Sequence, residues 1–344
     1  VLSVSAHLTD RDRELIRLVA RHRVLTTDQL AALRFSNLTT ARHRLSVLVR
    51  LGLLRRFRPC RETGSAPWHY VLGPVGAALL GQEDRDEGKW MPQVRADRQL
   101  ALERSQRLGH MTGASWFFVS LARHAREGGG ELAEWLNEAE TVTGFNHAAG
   151  WADLRSRFPN PDGAGTWAQD GRQVRFLLEY DTGSENLPAL TGKLDGYQAL
   201  ASAAAWNDQV CPVVLFCFTS PRRERSARRA LAATREAPAL RIATAAVDPR
   251  TVSPAGPVWL PLPTRTGRQV RLADLDDTLP DPWLAYRQEQ ARKRRQVADR
   301  DRIYLDGQDD DEDPIPEGPA PHASGEASRR YGGPGHWAPG RTAS

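Results

Sequence analysis

Asp162, Glu179, Asp181 and Lys193 are the side chains whose types and spacing point to chemistry on a phosphate. Val174, Phe176, Leu178 and Tyr180 alternate with Arg175, Leu177, Glu179 and Asp181. That period of two predicts a half-buried strand, with Glu179 and Asp181 leaving one face about 7 Å apart. Asp170-Gly171 just upstream reads as a tight hairpin turn, so the strand pairs back with the segment beginning at Asp162 and a third carboxylate comes alongside. After the Gly183-Ser184 turn a helix is expected, with Pro188 near its first turn and Lys193 and Tyr197 four residues apart on one face. Hard oxygen ligands at one strand end suit Mg²⁺ or Mn²⁺, which makes Asp162, Glu179 and Asp181 the expected metal ligands. An ammonium beside them suits a phosphate or an activated water, so Lys193 completes an expected catalytic set. A plainer reading stands next to this one. Pro161-Asp162-Gly163 is also ordinary turn chemistry, and Glu179 with Asp181 could be the solvated face of an edge strand with Lys193 as its ion-pair partner. Glu138 enters as a further ligand by position alone.

The elements that must hold these residues can be read on either side of them. A helix around Trp116, Phe117, Val119 and Leu121 ends at Gly128-Gly129-Gly130, and a strand from Leu132 to Asn137 follows. Beyond the hairpin and the helix of Lys193, the continuous apolar run Val213 to Phe218 reads as a central strand covered on both faces. A basic helix from Arg222 to Arg235 and a last strand from Leu240 to Val247 complete the series. Helix, three strands, helix, strand, helix, strand predicts an α/β (α+β) class with a mixed sheet flanked by helices.

Upstream lies a different module. Thr9-Asp10 caps an expected helix over about residues 10 to 22, and Thr26-Thr27-Asp28 opens a shorter one through Leu30 and Leu33. A third helix buries Leu38, Ala41, Leu45 and Leu48 and presents Thr39, Thr40, Arg42, His43, Ser46 and Arg50. Gly52 ends it, and Leu53 to Phe57 and Trp68 to Leu72 read as paired strands. Three helices and a basic hairpin make a winged helix. Thr39, Thr40, Arg42, His43, Ser46 and Arg50 are then the expected groove readers, with Arg55, Arg56, Arg58 and Arg61 lining the wing. The expected partner is double-stranded DNA. The same module could instead dock a protein through a merely solvated face.

Charge favours DNA. Of the 344 residues, the first 82 carry 13 Arg against 5 Asp or Glu, whereas the remainder carries 34 Lys or Arg against 37 acidic residues. The positive excess is confined to the N-terminal quarter, where a polyanion would bind. Only Lys89, Lys193 and Lys293 are lysines, so a lysine at 193 stands out. Three cysteines at unrelated spacings, and no apolar run of membrane length, lead to the expectation of a reduced, cytoplasmic compartment and no membrane partner. Gly163-Ala164-Gly165 sits at the start of a hairpin and not between strand and helix, and Thr191-Gly192-Lys193-Leu194 lacks the rest of a phosphate loop. No His-x-His pair accompanies Tyr197, which reads as packing or a phosphate contact. The expected organisation is a winged helix over 8–82, a linker over 83–99 and a mixed-sheet domain over 100–248. A Pro-rich extension with a basic helix from Asp281 to Tyr304 occupies 249–305, and a disordered acidic and Pro/Gly-rich tail 306–344.

With these residues laid out, the chain resembles the replication-relaxation family, bacterial proteins of plasmids and other mobile elements. The resemblance covers about residues 8 to 247 and rests on the winged helix, Pro161-Asp162-Gly163, Glu179-Tyr180-Asp181 with Gly183 and Glu185, then Lys193 and Tyr197. It implies a role in plasmid replication or relaxation alongside replication or transfer proteins. The second domain is similar to the PD-(D/E)xK nuclease fold, a restriction-endonuclease-like architecture in which an Asp and a Glu-x-Lys strand bind Mg²⁺ and cleave a phosphodiester. Asp162 would match the Asp and Glu179 the Glu. Asp181 departs from the pattern by standing where it has Lys, and Lys193, one helix further on, would take that place. The resemblance therefore carries two functions: a metal-dependent nicking enzyme, or a non-enzymatic regulator or initiator with an inactive nuclease-like core.

Overall fold

The computed structural model describes residues 8–60, 64–86, 101–149, 158–206, 209–263 and 267–306. Helix α1 (Asp10–His22) opens on a reciprocal cap, in which Asp12 N donates to the Thr9 hydroxyl and Thr9 N donates to the Asp12 carboxylate. Asp12 is fully buried and is also ion-paired with Arg44, which pins α1 to the third helix. Thr26 and Gln29 cap α2 (Thr27–Arg34) in the same manner, and Asn37 caps α3 (Leu38–Arg50). Gly52, at φ +70°, takes the left-handed turn that ends α3. Strands β1 (Leu25–Thr26), β2 (Leu54–Phe57) and β3 (His69–Leu72) form an antiparallel sheet in the order β1-β3-β2. Leu15, Ile16, Leu30, Leu45 and Leu54 lie in the common core. These are the three helices and wing expected, followed by α4 (Pro74–Asp86). Arg61 and most of the expected linker lie outside the described residues.

The second domain is built on a six-stranded sheet in the order β4-β5-β6-β7-β8-β9. Its helices and strands run α5 (Leu108–Arg126), β4 (Glu131–Asn137), α6 (Glu138–Ala149), β5 (Gly163–Gln169) and β6 (Arg172–Asp181), then α7 (Leu187–Trp206), β7 (Val213–Phe218), α8 (Pro221–Ala232), β8 (Ile242–Ala246) and β9 (Leu260–Leu262). Strands β4, β5 and β6 form an antiparallel meander, β6, β7 and β8 are parallel, and β9 closes the edge antiparallel to β8. The β5–β6 turn has Asp170 at φ +52° and Gly171 at φ +75°, the two positive values that a two-residue hairpin of this twist demands. Val174, Phe176, Leu178 and Tyr180 pack toward α5, while Leu177 packs toward α7 and α8. The fold class is thus the expected one, a mixed sheet with helices on both faces.

The structure departs from the expected elements at three places. Helix α6 was not read from the sequence because Thr141, Val142, Thr143 and Gly144 are poor helix formers. Its signature is nonetheless local: Asn137 and Glu140 exchange backbone and carboxylate or amide hydrogen bonds, each 3.0 Å, as a capping box. Second, β8 is not the last strand. Third, the Pro-rich segment after residue 248 belongs to the core: Trp259, Leu272, Ala273 and Leu275, the last opening α9 (Leu275–Thr278), are completely buried. Proline-bearing Leu260–Leu262 pairs only at the sheet edge, where a missing N–H is tolerated, so composition hid it. The buried Arg241 ties this segment down by donating to Leu279 O at 2.8 Å, Cys211 O at 3.0 Å and the Asp276 carboxylate at 2.7 Å.

The winged helix lies directly against the sheet domain. Gln29 Nε2 donates to Thr112 O at 2.8 Å, Arg126 donates to the carbonyls of Ala32 and Leu33, and His22 stacks on Trp135 at 3.9 Å between centroids. One compact unit runs to Lys293. Helix α10 (Leu284–Asp306) is the expected arginine-rich helix, begun three residues later; the tail from residue 307 lies outside the described residues. Among the described residues no helix is long and apolar enough to cross a membrane.

Candidate functional site

Strand β6 delivers Glu179 and Asp181 to the face covered by α7 and α8, at the carboxyl end of the parallel strands. In an open sheet with parallel strands, that end is where crevices form. Glu179 is 4% exposed. Lys193 Nζ lies 2.8 Å from its Oε2, and Tyr197 donates its phenol to Oε1 from one turn further along α7. Lys193 also reaches Glu185 Oε2 at 3.0 Å. The helix spacing read from the sequence therefore places lysine and tyrosine on one carboxylate.

Asp181, 7% exposed, accepts from the backbone N of Gly183 and from Arg223 Nη2 and Nε at 2.8 and 3.2 Å. Arg223 comes from the first turn of α8 and donates on to Glu185 O. Glu185 thus joins the two halves, its carboxylate on Lys193 and its carbonyl on Arg223. Asp162 stands just before β5. Its Oδ2 accepts from Tyr180 N at 2.8 Å, and its Oδ1 lies 2.6 Å from His110 Nε2 on α5.

The electrostatics follow from burial and pairing. Burial raises the Glu179 carboxyl to about 7, against the attraction of Lys193 and with a further push from the nearby Asp162 charge. Burial alone would lower Lys193, but the charge of Glu179 and its hydrogen bonds to Glu179 and Glu185 outweigh that and hold it protonated. Burial also works against a charged His110. The hydrogen bond and charge of Asp162 win, and its value rises above the ordinary imidazole range.

The expected catalytic residues are therefore neighbours, but the expected metal ligands do not form a cage. Asp162, Glu179 and Asp181 are each engaged by a different cation, and among the described residues no group of three or more His, Cys, Asp or Glu side chains is placed to hold a metal ion. A divalent cation would have to displace Lys193 or Arg223 from buried carboxylates. The residues present do not fit Mg²⁺ or Mn²⁺ as they stand. Glu138 opens α6 and pairs with Arg107 at 3.5 Å. His110 and Arg223 were not found from the sequence. Nothing local marks His110, whereas Arg223 was findable as a cation one turn past the end of a parallel strand.

On the winged helix, Thr39, Thr40, Arg42, His43 and Arg50 are exposed on α3 and Ser46 is half-buried. Arg55 is half-buried on β2; Arg56 and Arg58 are exposed. The guanidinium groups of Arg56 and Arg58 lie 4.2 and 4.0 Å from the ring centroid of Trp68, which fixes two long cations on one aromatic platform. A cleft bounded by Arg42, Arg56, Arg58, Trp68 and Tyr70 runs between α3 and the wing, and among the described residues Asp28 is the one carboxylate lining it. None of these three arginines is in an ion pair among the described residues.

A family model described as replication-relaxation matches residues 16–214, from α1 to the start of β7. No curated protein matches the chain.

Proposed function

The chain belongs to the replication-relaxation family, which points to a replication-related role, and from that premise we propose that it is a duplex-DNA-binding protein whose nuclease-like core is not a hydrolase. The observation that carries this reading is the arginine cleft between α3 and the wing. Arg56 and Arg58 stacked on Trp68 lose less side-chain freedom on meeting phosphate than free arginines would, and guanidinium groups match phosphate oxygens bidentately. Helix α3 enters the major groove, where Thr39, Thr40, Arg42 and His43 reach base edges or flanking phosphates, and the wing grips the backbone beside it. The carboxylate–lysine network at the end of β6 then serves as a rigid support, its charges neutralised within the protein. Partners of the replication or transfer machinery belong to this reading.

Fluorescence anisotropy with a labelled duplex tests it. Affinity should fall steeply as salt rises, and Arg56→Ala with Arg58→Ala should reduce the slope of log Kd against log salt by roughly 2, at about 0.9 per phosphate contact. A flat salt response in the wild type would identify the winged helix as a protein-docking module. Supercoiled plasmid incubated with Mg²⁺ or Mn²⁺ should stay intact. Nicking that disappears in Glu179→Ala would restore the metal-dependent enzyme and require Lys193 and Arg223 to release their carboxylates.

A further inference from the structure

Helix α8 carries five arginines, and two of them are spent inside the protein. Arg223 turns onto Asp181, and Arg228 donates to the Thr244 hydroxyl and Leu260 O, each at 2.9 Å, and to Pro261 O. Arg222, Arg225 and Arg229 are exposed, and their side chains make no ion pair or hydrogen bond among the described residues. At 3.6 residues per turn they fall within an arc of roughly 60° and span about 10 Å of helix axis. Glu224, the one acidic residue of α8, is turned inward to accept from the Thr244 hydroxyl. Three like charges three and four residues apart on one face repel one another, and among the described residues no carboxylate pairs with them. Elsewhere in the same unit, exposed arginines such as Arg17, Arg172 and Arg250 are each paired with a carboxylate.

The place of this stripe is as informative as its charge. Ser220 caps α8 directly after β7, and Thr219 N donates to Asp181 O at 3.3 Å, so the first turn of α8 stands at the carboxyl end of β6. The winged helix reaches the same strand end. Pro67 and His69 line one cleft with Tyr180, Thr182 and Arg250. Pro67 also lines the arginine cleft, so that cleft adjoins one side of the carboxyl end of β6 while α8 begins on the other.

We infer that the exposed face of α8 is a second sugar-phosphate contact, gripping the same duplex where it passes the end of β6. This rests on the duplex-binding reading given above. With one phosphate per strand about every 3.4 Å of duplex axis, the stripe is long enough to follow about three of them.

The experiment combines Arg222→Ala, Arg225→Ala and Arg229→Ala in the full chain and measures Kd for a labelled duplex of about thirty base pairs over a range of salt. Alanine preserves the helix, and an unchanged circular dichroism melt verifies this. The slope of log Kd against log salt should fall by roughly 2 to 3. Lysine at the same three positions should keep the slope, because charge and not shape is being read. If the triple alanine variant binds like wild type while Arg56→Ala with Arg58→Ala weakens binding, the α8 surface is excluded and the wing reading stands. If wild type does not bind duplex at all, both fall together.

Discussion

Glu179 is held between one ammonium and one phenol in a nearly dry pocket, and its proton is a property of that pocket. In the unfolded chain a Glu ionises near 4.5, whereas burial moves the native group to about 7. The native state therefore binds the proton more tightly, and this residue's contribution to stability is present at low pH and lost as pH rises from about 4.5 to 7. Glu179→Gln should remove that dependence. Denaturant melts at pH 5 and 7.5 should show wild type losing more stability over the interval than the variant, by about 2 kcal/mol. Equal losses would mean that Lys193 already keeps Glu179 ionised across the range. Lys193 itself stood out in the sequence by rarity and helical spacing, and those were enough to pair it with the strand. Asp181 was legible as a carboxylate on the right face but not as the partner of Arg223, because that arginine lies 42 residues further on and meets it only through the β6–β7 crossover.

At the scale of elements, helix α5 lies so close to β6 that only glycine fits at the crossing. A Cβ on Gly113 would come within 2.1 Å of the Tyr180 ring. Gly113→Ala should destabilise the fold by about 1 to 3 kcal/mol, the cost of pushing the packed Tyr180 ring aside. Gly192, inside α7, has nothing within 4 Å of an added Cβ, and Gly192→Ala should stabilise by about 1 kcal/mol. Thermal melts of the two variants in opposite directions would separate packing from propensity. Arg241 makes the complementary case. It is 3% exposed and satisfies three carbonyls from two segments, so Arg241→Met should cost about 3 kcal/mol or more in a denaturant melt and free residues 272–279 from the sheet. Strands β5, β6 and β7 and the helices of the wing were legible because period and capping residues are local. Strand β9 and helix α9 were not, because Pro-rich sequence reads as loop until a buried arginine and Trp259 give it a place in the core.

In the compact unit that runs to Lys293, the winged helix and the sheet domain share an interface, and the buried His22 sits in it. Burial pulls His22 down to about 3, so it stays neutral against Trp135 while an unfolded histidine protonates near 6.5. The contribution of His22 to stability is therefore fully present above about 6.5 and is lost as pH falls toward 3. This runs opposite to Glu179. His22→Phe keeps the stack and removes the titration, and its melting temperature should fall less than that of wild type between pH 6.5 and 4.5; an equal fall would place the acid sensitivity elsewhere. The sequence by itself determined the elements of the winged helix, the α/β class, the hairpin and the helix face of Lys193 and Tyr197, since turn residues, caps and periodicity act within a few residues. It also pointed to the family. Only the tertiary structure decided that each carboxylate is already matched by a cation, that the wing packs onto the sheet domain, and that α8 turns three arginines to solvent. Those outcomes depend on which distant side chains the fold brings within a few ångströms, and no spacing along the chain encodes that distance.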